Sequence, residues 1–326
     1  MVLKWSKCEK YEKKLVSVIC VTLVLSSVSF GFVCNEALAW PWSSDDPKDP
    51  EPVVVANVEN SVPSDRFKII QDEHIGDSVF NTIRDKYNRY KGHKGKGLWF
   101  SLSNNTLINS SKGIDRDIDG STSIIANVGY NMYDMNSSIV LSFAKSNISF
   151  EDSKQYGYSN VMLSYYNSLS LSKRSDVKFN TLLSYVSDNE GEDRLSAILS
   201  GVKSIPVALT GIKGTPLTLD TEFRVSYNTG IVKGITSGMR NIVTLTPIVK
   251  LTTDLVFEDS SVLNANVFVK YDYHVVENKS KLKISDALDL GIGAGYDLSS
   301  NVSISLASTI SNNGLFGINL GVGFVW

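Results

Sequence analysis

Phe316, Ile318, Leu320, Val322, Phe324 and Trp326 fall on one side of an extended segment, and Gly317, Asn319, Gly321 and Gly323 fall on the other. Val325 is the one large apolar residue that breaks the alternation. The same period of two runs through Leu217–Asn228, Leu263–His274, Leu288–Leu298 and Val302–Ala307. Successive side chains of a strand point to opposite faces, so each segment is apolar on one side and small or polar on the other. Each is about ten residues long, the length that crosses a bilayer when tilted. The pattern predicts twelve strands, near 97–104, 121–133, 137–149, 158–171, 176–187, 194–208, 216–228, 241–254, 262–275, 286–298, 300–311 and 314–326. The sixth is the least regular, with Ile198, Leu199, Val202 and Ile205 on both faces and Pro206 near its end.

The expected fold is all-β, a 12-stranded antiparallel transmembrane β-barrel, because a sheet in hydrocarbon tolerates no open edge. The chain stops on the aromatic Trp326, which fits a last strand that closes on the first. Connections after strands two, four, six, eight and ten read as short. Those at Asn105–Gly120, Thr229–Arg240 and Val276–Ser285 read as long and polar. That contrast places the short turns in the periplasm.

One segment departs from the period of two. From Asp65 to Lys91, Phe67, Ile70, His74, Phe80, Ile83, Tyr87 and Tyr90 recur at steps of three and four, with Ile69, Ile75 and Val79 beside them. Ser64 or Asp65 serves as N-cap and Gly92 as stop. This single α-helix is about 40 Å long at 1.5 Å per residue, enough to thread a barrel lumen. Gly92-His93-Lys94-Gly95-Lys96-Gly97 then reads as a hinge, so residues 65–96 form helix and hinge and 97–326 the barrel.

Toward the N-terminus, Lys4, Lys7, Lys10, Lys13 and Lys14 precede an apolar run from Leu15 to Val33 and the small-x-small triplet Ala37-Leu38-Ala39. Positive, apolar and small in that order define a secretory signal peptide over 1–39, with cleavage expected before Trp40. Residues 40–64 are rich in Pro, Asp and Ser and read as a disordered arm. Cys8, Cys20 and Cys34 all precede the cut, so the exported part has no disulfide with which to stabilise itself. The whole chain carries 32 Lys and Arg against 34 Asp and Glu. So balanced a charge gives no reason to expect a nucleic-acid partner.

The search for chemistry returns little. His74, His93 and His274 have no cysteine or paired carboxylate at ligand spacing, so no metal site, cofactor or catalytic residue is expected. Gly291-Ile292-Gly293-Ala294-Gly295 has the glycines of a phosphate loop, but no helix follows it. The polar faces of the later strands offer Asp220, Glu222, Arg224, Lys250, Lys270, Asp272 and Asp289 as lumen-lining residues, whose opposite charges can satisfy one another and grip the helix. Outward tyrosines and Trp326 suit the aromatic girdles of a membrane wall.

Asn81-Thr82-Ile83-Arg84-Asp85, followed by Gly97-Leu98-Trp99-Phe100-Ser101, resembles the opening of an autotransporter β-domain, the type V secretion family. The closing Gly321-Val322-Gly323-Phe324-Val325-Trp326 is similar to that family's last strand. The resemblance implies recognition of Phe316, Phe324 and Trp326 by the barrel-assembly machinery, with export chaperones and outer-membrane lipid as further partners. It also implies a bacterial outer-membrane location; with His274 the one histidine in the barrel, no enzymatic activity is expected. A single copy is expected. Where the family carries a large passenger, this chain has only residues 40–64, so the expectation is a translocator-type barrel with a vestigial passenger and a helix plugging its lumen. A diffusion porin and a surface adhesin acting through its loops remain the alternatives.

Overall fold

The computed structural model describes residues 65–90, 97–110, 114–171, 177–189, 192–207, 217–232, 240–257, 261–277, 284, 286–298 and 301–326. The expected signal peptide (1–39), the arm (40–64), the last expected helix residue Lys91 and the hinge up to Lys96 lie outside the described residues. One helix, α1 (Asp65–Tyr90), precedes twelve strands: β1 (Leu98–Asn109), β2 (Ile118–Met132), β3 (Ser137–Phe150), β4 (Gln155–Ser170), β5 (Val177–Asp188), β6 (Glu192–Val207), β7 (Leu217–Val232), β8 (Arg240–Val256), β9 (Val262–Glu277), β10 (Ala287–Asp297), β11 (Val302–Ser311) and β12 (Leu315–Val325). Each strand pairs antiparallel with its sequence neighbours. β1 pairs with β12 from Trp99↔Val325 to Asn109↔Leu315, so the sheet is a closed barrel without an edge.

An even number of strands brings the start of β1 and the end of β12 to one end of the barrel, here called the terminal mouth. The opposite end, the loop mouth, carries the connections after the odd-numbered strands. The expected contrast in their lengths is not found. Connections 110–117, 151–154, 189–191, 233–239, 278–286 and 312–314 at the loop mouth are matched by 133–136, 171–176, 208–216, 257–261 and 298–301 at the terminal mouth. Strands extend into what read as loops, most of all β1, which runs to Asn109 instead of stopping at Asn104. Its outward positions turn polar at Asn104 and Thr106, and that hid the continuation from the alternation.

The outer wall is apolar. Leu102, Ile124, Leu141, Leu163, Leu183, Phe223, Val249, Val267, Leu290 and Leu320 are all large, exposed and outward. In water such a surface would aggregate, whereas in hydrocarbon it is the expected lipid face. Among the described residues no helix is long and apolar enough to cross a membrane, and the apolar outer surface belongs to the strands. Tyr130, Tyr296 and Trp326 ring the terminal mouth, while Tyr185, Tyr227, Tyr271 and Tyr273 stand nearer the loop mouth. Their hydroxyls find polar partners at the strand ends: Tyr271 donates to Asp286 at 3.1 Å and Tyr227 to Asn241 at 3.0 Å. Pro247 lies on this outer face of β8. With no N–H to give, it and Thr246 fall outside the β8–β9 register, which resumes at Ile248↔Lys270.

Trp99 anchors the seam. It is fully buried, its indole Nε1 donates to Asn131 Oδ1 at 3.1 Å, and its ring lies against Gly129 on β2. A Cβ at position 129 would run into that ring. Gly129→Ala is therefore expected to overpack this joint and cost about 1–3 kcal/mol, read as a lower urea midpoint of the folded barrel. An unchanged midpoint would mean that the indole can shift freely.

Candidate functional site: the barrel lumen

The helix lies inside the barrel, and its contacts leave no other placement. It touches all twelve strands, and a helix that reaches every stave of a closed barrel must be enclosed by them. Gln71 exchanges hydrogen bonds with Ser121 and Ser123 on β2. Asp72 accepts from Tyr158 and Asn160 on β4 and pairs with Arg194 on β6. Glu73 accepts from Thr244 on β8 at 2.8 Å and meets His274 on β9 at 3.1 Å. Lys86 donates to Ser303 on β11 at 2.5 Å, Arg89 pairs with Asp297 on β10, and Ser78 accepts from Asn319 on β12 at 3.2 Å. Trp99 of β1, Ala144 of β3 and Leu182 of β5 meet the helix through apolar packing.

The sequence builds a helix with two faces, and the lumen has two matching halves. Ile75, Val79, Phe80, Ile83 and Tyr87 pack against Ile125, Val140, Met162, Tyr166, Leu182 and Ile198, all from β2 to β6. Nearer the loop mouth, Phe67 and Ile70 join Ile118, Ile148, Tyr158, Ile242 and Leu315. Most charged residues of the helix face β7 to β10, while Asp72 pairs with Arg194 on β6 and Lys86 reaches Ser303 on β11. Arg84 bonds Glu222 at 2.9 Å; Arg224 reaches Asp77 at 2.7 Å and Glu222 at 3.1 Å. Lys270 sits among Asp272 at 2.8 Å, Asp289 at 3.4 Å and Asp77 at 3.6 Å. Lys250 and Asp220 are 3.6 Å apart. All seven charged residues singled out from the sequence are thus on the inner wall. Five of them belong to chains of contact that end on the helix, through Arg84 or Asp77. The Lys250–Asp220 pair stays within the wall.

Sequence reasoning missed the apolar half of the lumen. Its signal is present wherever apolar residues run consecutively: Ile124-Ile125, Ile139-Val140-Leu141, Leu182-Leu183 and Ile198-Leu199. In each run one residue is buried toward the helix and its neighbour, or both neighbours in Ile139-Val140-Leu141, lies exposed on the outer wall. A lumen built to hold water would be polar throughout.

The direction of the helix is set by its ends. Tyr87 packs against Tyr133 in the terminal-mouth turn, with ring centroids 5.6 Å apart and the rings tilted by 37°, and Arg89 pairs with Asp297 at the same mouth. Phe67 and Ile70 cluster with Ile114, Ile284 and Leu315 at the loop mouth. The N-terminal end of the helix therefore lies at the loop mouth, and the helix descends to the mouth where β1 begins.

Two cavities flank the helix, of about 50 Å³ near Lys270 and about 100 Å³ beside Gly76. Among the described residues no group of three or more His, Cys, Asp or Glu is placed to hold a metal ion. His74 and His274 lie in the charged half, while His93 is outside the described residues. Asn81 belongs to the unbroken helix, and its side-chain oxygen accepts from Arg84 at 3.0 Å and Arg224 at 3.2 Å. Of the three terminal aromatics, Phe324 and Trp326 are exposed on the outer wall and Phe316 is buried between its neighbours.

A closed strand wall with a lipid face and one helix through its lumen defines an outer-membrane barrel with an internal helix, the fold of autotransporter translocator domains. No family model and no curated protein sequence matches the chain. Among solved structures it is similar to the translocator domain of the autotransporter NalP from Neisseria meningitidis, with a TM-score of 0.54, 14% identity, and 80% of this chain and 99% of that one covered. It is also similar to the β-domain of the Bordetella autotransporter BrkA, with a TM-score of 0.50, 7% identity, and 70% and 98% covered.

Arg224 is the charge on which the polar half turns, since its side chain is only 3% exposed and serves two carboxylates. Arg224→Met should leave Glu222 and Asp77 short of a partner and cost about 3–5 kcal/mol, measured by urea unfolding of the purified barrel. A loss below about 1 kcal/mol would mean that water already reaches these groups.

Proposed function

We propose that this chain is a translocator-type outer-membrane barrel. Its helix passes from the cell surface down the lumen to β1 and closes the pore, leaving the segment before Asp65 outside the cell. The observation that carries this reading is the match between a two-faced helix and a two-halved lumen, because an apolar inner wall has no use in an open channel. The direction of the helix supports the rest. If the loop mouth faces outward, the only covalent route from surface to β1 runs through the barrel.

The test is an epitope inserted at Ser61, probed on intact cells alongside conductance of the purified chain in planar bilayers. The expected result is surface labelling, a closed full-length chain, and an open pore once residues 40–96 are deleted. Labelling only after lysis would reverse the orientation, and an open full-length pore would favour a diffusion porin.

Phe316, Phe324 and Trp326 are proposed as the assembly signal read by the barrel-assembly machinery, with export chaperones holding the chain before insertion. The exposed Phe324 and Trp326 fit that role, since an assembly factor can reach them from the outer face. Removal of Gly321–Trp326 should abolish outer-membrane accumulation and the heat-dependent gel shift of a folded barrel. Normal accumulation of that truncated chain would place the signal elsewhere.

A further inference from the structure

Asn104 stands where a polar side chain has no business unless something meets it. On β1 the residues beside it, Ser103 and Asn105, are buried inside the barrel, so Asn104 points outward. Its partners across the sheet are Leu320 on β12 and Ile124 on β2, both about half exposed on the lipid face. It lies six residues above Leu98. At ~3.4 Å per residue and a tilt of ~40°, that is about 15 Å into an apolar band ~25 Å tall.

Thr106 Oγ1 donates to Asn104 Oδ1 at 3.2 Å, which engages the carbonyl oxygen. Among the described residues the Asn104 amide nitrogen has no hydrogen-bond partner. Lys145, two strands away and also outward, differs in kind: its long stem lets the ammonium reach the headgroups. Asparagine is too short for that, and lipid tails offer no acceptor at this depth.

We propose that the outer face of β1 is the centre of a homodimer interface within the membrane, with Asn104 of one copy paired to Asn104 of a second. A primary amide is self-complementary. Across a two-fold axis along the membrane normal, each Nδ2 donates to the other copy's Oδ1, so one residue supplies both halves of an isologous contact. The carbonyl has a second lone pair free for this bond while Thr106 holds the first. Leu102, Ile124, Leu320 and Val322 surround the pair with an apolar field that packs against its own copy, as polar residues between membrane segments commonly require. Nothing in the sequence pattern had called for a second copy.

The experiment uses the full chain in native outer membranes. Leu102→Cys sits at the same height as its symmetry mate and should give an oxidative cross-link at twice the monomer mass. Val249→Cys, exposed on the far wall, should not. Adding Asn104→Leu to Leu102→Cys should reduce the dimer at least tenfold while leaving the heat-dependent gel shift intact, which separates loss of association from loss of folding. A chain that stays monomeric, a dimer that survives Asn104→Leu, or a cross-link to a different protein would each overturn the proposal.

Discussion

The structure depends on one helix satisfying a wall that cannot satisfy itself. Half of the lumen is apolar and half is charged, and neither half is stable against the wrong neighbour. Apolar residues facing an aqueous pore lose the gain of burial, and the carboxylates around Lys270 need the cation held among them. The helix answers both demands because its three- and four-residue periodicity puts Val79, Phe80 and Ile83 on one flank and Asp77 and Arg84 on another. Barrel and helix are therefore one folding unit in the energetic sense, with a core inside the sheet and lipid outside it.

This arrangement explains an otherwise odd feature of the strands. In a water-filled barrel the inward positions are free to be polar, and the alternation stays clean. Here β2 to β6 carry large apolar residues on both faces along most of their length, whereas on β7 to β10 the inward positions are mostly polar or charged, with Ile242, Ile248 and Phe268 as exceptions. The wall has been matched to a particular helix in a particular rotation. Turning the helix about its axis would set Arg84 against Tyr166 and Ile198, and Phe80 against Glu222. The cation–π contacts of Arg84 and Arg224 over the Phe80 ring mark the line where the two halves meet, at 5.1 and 4.7 Å from its centroid.

Much of the fold was legible in the sequence. Twelve strands, the closing pair and the single helix follow from two periodicities, two and about 3.6, which are local properties of the backbone. What was not legible had a physical reason in each case. β1 was cut short because Asn104 and Thr106 put polar groups on the lipid side. The connection lengths misled because strands continue for as long as hydrogen-bonded partners are available. The apolar half of the lumen was missed because a run such as Leu182-Leu183 looks like noise in an alternating pattern. Only a partner on each face gives it meaning. The charges from Asp220 to Asp289 were visible as inward positions, but their pairing with Arg84 and Asp77 depends on where the helix sits, and no strand pattern carries that.

Trp99 has a consequence for how such a barrel comes into being. Its ring touches the second strand through Gly129, belongs to the same buried cluster as Val325 of the last strand, and shares that cluster with Tyr87 of the helix. Three pieces of chain that are remote in sequence become neighbours at one indole. Zipping the final ladder and seating the helix are then cooperative, each lowering the free energy of the other. A sheet that curls without its helix meets a hole at its own seam, and a helix that arrives before the last strand has no wall on one side. The chain is thus biased against resting half-made, as either an open sheet or an unstoppered ring.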